Sequence, residues 1–423
     1  MKSIKILSLI FFSVLVSMSF LLLTELFLSV FAVKYDRLSD ILRILRQDSV
    51  LFWKQKSNLN TVFQNQNLKT NSFGFRSHEI KIKEKSATRI ICMGASPTFG
   101  WGVKYEDTYP VVAAKILADK GFTVETINAG QIGYSSYQGL KLLTNVILPL
   151  KPDIITISYV INDVDKYRFF RSSSKRDSEL GYISPALIIA GNILNKSRIA
   201  MLIRKIIVND KSNKIKLYGE SCNEYNENRR VTREEYEKNL NLMLDIAAQN
   251  NIKVVFIVMP VNLPLKKELN QKEKAQLEIF INKLKSEIRN KKYTAAEILI
   301  NRILELDKHN PVAYYYKAVI AETKKDYQSA AKFFEMSKNF EIFDCASTAK
   351  QYNEIMKQIA KERNIPICNS AKNFVEYKSG YLFVDPKFDS FHPNAKGHKL
   401  IAEELALILN HMLSGVKNGN GPK

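Results

Sequence analysis

Five short runs of apolar and β-branched residues, each closed by a turn signal, limit what this chain can become. They read "RIICMG" from Arg89, "VETINAG" from Val124, "DIITISYV" from Asp153, "IKVVFIVMP" from Ile252 and "NIPICNSA" from Asn364. Each has the length of a strand, and helix-like periodicity lies between them. Continuous apolar strands are strands buried on both faces, and their alternation with helices predicts an α/β fold. The expectation is a three-layer α/β/α arrangement around a parallel sheet. Ligands of such sheets sit beyond the carboxyl ends of the strands. Ser96 lies just past the first run, Gly130 to Gly133 past the second and Asn162 past the third.

The second constraint is topological. From Ile6 to Val33, "ILSLIFFSVLVSMSFLLLTELFLSVFAV" carries Glu25 as its only charge. That stretch exceeds the ~20 apolar residues that cross a bilayer and is long for the core of a signal peptide. Val30-Phe31-Ala32 also fits a cleavage site, but residues 1–33 are read as an uncleaved transmembrane anchor. Lys2 and Lys5 favour an amino terminus on the inner side, and Lys34, Arg37, Arg43 and Arg46 oppose it. An N-terminal anchor ahead of a large domain usually exports that domain, so the body is expected to be extracytoplasmic.

Residues 34–86 read as a membrane-proximal connector of mixed polarity, residues 87–412 as the main domain and residues 413–423 as a flexible tail. Two segments interrupt the alternation. Residues 164–235 are basic and polar around a more apolar helical stretch, "ISPALIIAGNILNKSRIAMLIRKIIV". This is a lid, a membrane-surface helix or an elaborated subdomain. Polar residues break its apolar run, which argues against a second span. Residues 270–345 are helical. There Asn310-Pro311, an aromatic helix, Asp326-Tyr327, Ala330 and Phe334 follow the order of a tetratricopeptide (TPR) helix pair. Fewer than three such repeats do not stand alone, so this TPR-like insertion must pack on the main domain. It is either structural or a surface for a protein partner.

Composition narrows the partners. The formal charge of +21 suits an anionic surface. The lysines are scattered, however, and no basic block or nucleic-acid motif accompanies them, so the charge reads as a generally basic, solvated surface and no nucleic acid is expected. Cys92, Cys222, Cys345 and Cys368 form no CxxC pair and call for no zinc site. Cys92 and Cys368 fall in strand-like runs and read as core, whereas Cys222 and Cys345 are a conceivable pair in an oxidising compartment. No metal is expected.

Chemistry enters with "GASPTFGWGV" and "KFDSFHPNAKGHKLIAEEL". A nucleophilic serine needs an imidazole to take its proton and a carboxylate to hold that imidazole. Ser96 follows a strand, and Asp389 stands three residues before His392. Taken singly, each has an ordinary explanation: a helix-capping serine, and a surface turn with a solvated histidine. His398 is expected on the exposed face of the following helix. Acyl transfer also needs donors aimed at the developing oxyanion. "NAGQIGYSSYQ" offers the Gly133 amide and "SYVINDVDKY" offers the Asn162 side chain.

In this order, from about Arg89 to Asn410, the four elements resemble the SGNH (GDSL-type) hydrolase family. "GFR…GASPTFGWGV…YP" and "DSFHPNAKGH" look like membrane-anchored bacterial members. The resemblance implies a flavodoxin-like parallel sheet and a serine esterase or O-acyltransferase that works through an acyl-enzyme without a cofactor. It implies Ser96 as nucleophile, His392 as base and Asp389 as its support. Ser96, Gly133 and Asn162 would form the oxyanion hole. It places the chain in a bacterial cell membrane as a single-pass protein, with an ester-bearing substrate such as an acylated cell-surface glycan. Pro97 argues against the α/β-hydrolase elbow, in which the residue after the serine donates its N–H. Two positions depart from the family: Ala95 replaces an acidic residue and Val160 a glycine. They motivate the alternative of a catalytically inert SGNH-fold binding or assembly protein that uses the TPR-like insertion.

Overall fold

The computed structural model describes residues 2–31, 37–165, 168–170, 175–181, 184–194, 197–200, 202–203, 229–261, 269–377, 381–385, 389 and 391–417. Its chain divides into two units, residues 1–54 with 182–215, and residues 55–181 with 216–423.

In the first unit, helix Lys2–Phe31 contains an apolar stretch, Phe11–Leu28, long enough to cross a membrane by length and composition. Two of its hydroxyls bond within the helix: Ser17 donates to the Ser13 carbonyl and Thr24 to that of Phe20, each at 2.8 Å. The Glu25 carboxylate accepts from the Ser197 hydroxyl at 2.9 Å and from the backbone N–H groups of Arg198 and Ile199. Helix Arg37–Ile44 buries Ile41, Leu42 and Ile44. It leads into a hairpin of β1 (Leu45–Asp48) and β2 (Phe52–Gln55), in which Asp48 Oδ1 accepts from the N–H groups of Val50 and Leu51. Helix Pro185–Leu194 packs against β1.

The second unit opens with a hairpin of β3 (Asn60–Phe63) and β4 (Gln66–Lys69). Gln64 and Asn65 join the strands, with φ of 50° and 58°. This is the positive-φ pair of a two-residue turn whose twist matches the strands. The central sheet follows: β5 (Thr88–Gly94), β6 (Val124–Asn128), β7 (Ile154–Ser158), β8 (Lys253–Ile257) and β9 (Ile367–Cys368). All five are parallel, in the order β6-β5-β7-β8-β9. They coincide with the five apolar runs.

Side chains alternate across this sheet. Ile90, Cys92, Ile154, Val255, Ile257 and Cys368 face a core closed by helices Tyr109–Asp119 and Ala395–Lys417. The opposite face is covered by helices Ser136–Leu142 and Arg233–Gln249 and the distal half of Tyr327–Glu362. Cys92 and Cys368 are free, buried thiols, and burial pushes the Cys92 pKa up to about 12. Cys222 and the Cys345 side chain lie outside the described residues.

The helical insertion comprises Gln271–Arg289, Tyr293–Leu306, Pro311–Thr323 and the first half of Tyr327–Glu362. It encloses its own core of Leu284, Leu299, Ile300, Ile303, Tyr315 and Ile320, among others. Asn310 caps the third helix at the Ala313 N–H, with Pro311 next, and Asp326 caps the fourth at the Ser329 N–H. That fourth helix runs through residue 345 into the α/β body. There Tyr352 donates to the Val231 carbonyl (2.8 Å) and Asn353 to that of Met259 (3.1 Å).

The connector is less peripheral than its composition implies. Gln55 donates to the Gly130 carbonyl (3.1 Å), and Arg76 is buried against the first helix of the sheet. Gly130 sits where two backbones meet. A Cβ there would lie 2.3 Å from the Phe99 nitrogen and 2.7 Å from the Thr98 carbonyl carbon. Gly130→Ala is therefore expected to lower stability by about 1–3 kcal/mol, read as a drop in Tm. Gly181→Ala, where a Cβ meets nothing within 4 Å, should leave Tm unchanged. Equal Tm values for the two variants would contradict the close approach.

Candidate active site

β5 ends at Gly94, where a Cβ would lie 2.0 Å from Thr98 Oγ1. The chain turns at Ala95 and enters a short helix, Ser96–Phe99, with Pro97 in its first turn. No side chain caps this helix, so the Ser96 amide is one of the helix's open donors. Thr98 is fixed beneath it: Tyr109 donates its hydroxyl to Thr98 Oγ1 (3.1 Å), and Asn128 Nδ2 donates to the Thr98 carbonyl (2.8 Å). Arg76 closes the helix's far end, donating to the carbonyls of Gly100 (2.6 Å) and Val103 (2.8 Å).

The histidine arrives from the other end of the chain. Asp389 Oδ1 accepts from the backbone N–H groups of Phe391 (3.0 Å) and His392 (2.9 Å), which curls the loop back on itself. A bridge between Phe383 and Pro393 and the Val384 N–H to the His392 carbonyl (2.9 Å) hold it in place. His392 Nδ1 lies 2.9 Å from Asp389 Oδ2, and Nε2 lies 2.8 Å from Ser96 Oγ. This network assigns the proton to Nδ1, donated to Asp389, and leaves Nε2 to accept from the serine. Burial would raise the Asp389 carboxyl. The His392 charge and the hydrogen bonds from His392 and the two amides outweigh it and hold the group below the ordinary carboxylate range. Trp101 stacks on His392 with centroids 5.1 Å apart and planes at 21°, and Phe63 meets Trp101 in a T-shaped contact at 5.0 Å.

Gly133 follows β6 in a loop pinned at several atoms and has φ of 78°. The Gln131 N–H donates to the Gly94 carbonyl (2.9 Å), which ties the loop to the end of β5. Asn162, in helix Ile161–Val164 after β7, donates from Nδ2 to the Tyr134 carbonyl (3.0 Å). Ser96, His392 and Asp389 thus form one hydrogen-bonded chain, and Gly133 and Asn162 are joined through Tyr134. A small apolar cavity runs from Ala95 and Pro97 past Val160 and Ile161 to Met259, Pro260, Val261 and Phe391. Its enclosed space is about that of one water. Ala95 and Val160, the two departures from the family pattern, both line it.

His398 corrects the sequence reading. It is fully buried, not exposed: its Nδ1 accepts from the Tyr109 N–H (3.1 Å) and its ring stacks on Tyr109. Burial, then the charges of Arg76 and His392, push its pKa down to about 3, so it is a neutral packing group. Trp101, Arg76 and the buried polar residues behind Gly133 were not legible as site residues, because their partners are distant in sequence. Among the described residues no cluster of His, Cys, Asp and Glu forms a metal site.

The fold is a three-layer α/β/α arrangement around a parallel sheet. The chain matches the GDSL-like lipase/acylhydrolase family over residues 92–400 and belongs to it. Among solved structures it is similar to the lipase/acylhydrolase from Enterococcus faecalis, at 13% identity and a TM-score of 0.38 over 77% of this chain and 96% of that one. It is also similar to a catalytic mutant of an acetylxylan esterase from Geobacillus stearothermophilus, at 11% identity and a TM-score of 0.37 over 76% and 94%. A curated TPR repeat-containing protein of Methanocaldococcus jannaschii is 31% identical over 75 residues, which is 18% of this chain and 13% of that protein's length.

Beside Asn162, Asp163 is fully buried, its Oδ1 accepting from the Ser136 N–H (2.8 Å) and more closely from the Ser136 hydroxyl. Burial pushes its pKa up to about 7. The folded state therefore holds this proton where the unfolded chain has released it. The stabilisation it gives is complete at low pH and is lost as pH rises to about 7. Asp163→Asn is expected to gain Tm relative to wild type as pH goes from about 5 to 8. A Tm difference that stays flat over that range would contradict a neutral buried carboxyl.

Proposed function

We propose that this GDSL-family acylhydrolase is a serine enzyme that moves short acyl groups through an acyl-enzyme, tethered to the membrane with its catalytic body outside. The observation that carries the reading is the unbroken Ser96–His392–Asp389 chain. His392 Nε2 takes the Ser96 proton as Oγ bonds to the ester carbonyl carbon. The carbonyl oxygen gains the negative charge, and the Ser96 amide, the Gly133 amide and Asn162 Nδ2 are the donors suited to receive it. When the tetrahedral centre collapses, the bond to the alcohol oxygen breaks and His392 returns its proton to that oxygen. Water, or a glycan hydroxyl, then attacks the acyl-enzyme by the reverse sequence, and the product is a free acid or a new ester. A low Asp389 pKa keeps that carboxylate charged beside the imidazolium.

A small acyl group such as acetyl suits the small cavity that Ala95 and Pro97, the chain neighbours of Ser96, help to line. Both departures from the family pattern fall on that cavity wall and neither interrupts the proton path, which favours an enzyme over an inert binding protein. Helix Lys2–Phe31 is the anchor, and its single carboxylate, Glu25, is hydrogen-bonded rather than bare. An anchored body outside the membrane meets the glycans of the cell surface, and the net charge of +21 suits an anionic surface.

Full-length protein in detergent should label with a fluorophosphonate, and Ser96→Ala and His392→Ala should abolish the label. Asp389→Asn should reduce kcat for short-chain esters about a thousandfold or more with little change in Tm. Labelling that persists in Ser96→Ala, or a folded wild type that never labels, would overturn the reading.

A further inference from the structure

The roots of the 164–235 insertion converge on the back of the loop that carries Gly133. Arg230 is fully buried. Its Nη1 donates to the Gly133 carbonyl at 2.7 Å. Its Nη2 donates to Asp177 Oδ2 at 2.9 Å and, more closely, to Gln138 Oε1. Asp177, also fully buried, accepts from Arg168 Nε (2.7 Å) and from the Ser135 hydroxyl (2.6 Å). Backbone bonds lace the two roots together: the Asp177 N–H donates to the Arg230 carbonyl (2.7 Å), and the Val231 N–H to that of Asp163 (3.1 Å).

We infer that Arg230, aimed by Asp177, is a positioning residue for the oxyanion loop. The inference rests on the proposed role of the Gly133 amide. Gly133 has no Cβ and sits at positive φ, so its backbone is intrinsically free to turn. Two anchors remove that freedom. The Gln131 N–H is tied to the end of β5, and the Gly133 carbonyl is tied to Arg230. With both sides held, the intervening Gly133 N–H keeps one direction. A preorganised donor counts only while it points at the charge that develops. The guanidinium suits this task because one planar fork reaches a carbonyl and a carboxylate together, which a lysine ammonium does not reproduce. The roots of the insertion, Arg168, Asp177 and Arg230, therefore act as a brace on that loop.

The test uses full-length enzyme in detergent with p-nitrophenyl acetate. Arg230→Ala is expected to lower kcat about 10- to 100-fold with KM within about twofold, the signature of an interaction made chiefly in the transition state. Guanidinium at millimolar concentration should restore part of that kcat and leave wild type unaffected. Arg230→Lys, which keeps the charge for Asp177, serves if the alanine variant does not fold, and should also lose kcat at constant KM. Leu299→Ala, in the core of the helical insertion, supplies a comparably destabilised protein that should keep wild-type kcat. Folded Arg230 variants with wild-type kcat, or a loss matched by Leu299→Ala, would overturn the inference and leave the parent reading intact. A wild type with neither turnover nor fluorophosphonate labelling would overturn the parent reading and the inference with it.

Discussion

Ser96 and His392 are 296 residues apart in sequence and 2.8 Å apart in space. Everything else at the site depends on closing that gap. The closure is made by the core, through packing of the last helix, Ala395–Lys417, on the same sheet face as Tyr109–Asp119. The buried contact between His398 and the Tyr109 amide fixes one helix against the other. His392 stands just before that final helix and Ser96 just after strand β5. The reacting pair is thereby carried by a short loop and a helix start, each joined directly to a packed element. The Asp389 turn then needs only local bonds to orient the imidazole.

Beneath this pair the structure spends many polar groups in places closed to water. Arg76 grips the carbonyls after the serine helix, Thr98 and Asn128 join that helix to the end of β6, and Arg230 with Asp177 grips the loop that follows β6. Buried polar groups are costly unless each finds a partner. Their concentration around the ends of β5, β6 and β7 is consistent with a site that must hold donors still. Apolar packing alone fixes volumes, whereas hydrogen bonds fix directions, and a developing oxyanion responds to direction.

The five strands were legible because their signal is local: a strand buried on both faces must be apolar throughout, and each run shows it. The Ser96 turn and the Asp389–His392 spacing were legible for the same reason. What stayed hidden is what depends on contacts between distant segments. His398 has helical spacing that fits an exposed face, but it is buried where it meets Tyr109, a residue distant in sequence. Arg230 reads as one more cation in a basic insertion until Gly133 and Asp177 surround it. The connector reads as a linker, but Gln64 and Asn65 supply a hairpin turn that composition alone did not reveal.

The most direct measurement of the central claim is a rapid-quench experiment with p-nitrophenyl acetate on the full-length enzyme, followed by mass spectrometry of its peptides. The account predicts a burst of nitrophenol approaching one equivalent per chain and the mass of one acetyl group on the peptide bearing Ser96. Steady turnover without a covalent acetyl, or an acetyl carried by another residue, would contradict it.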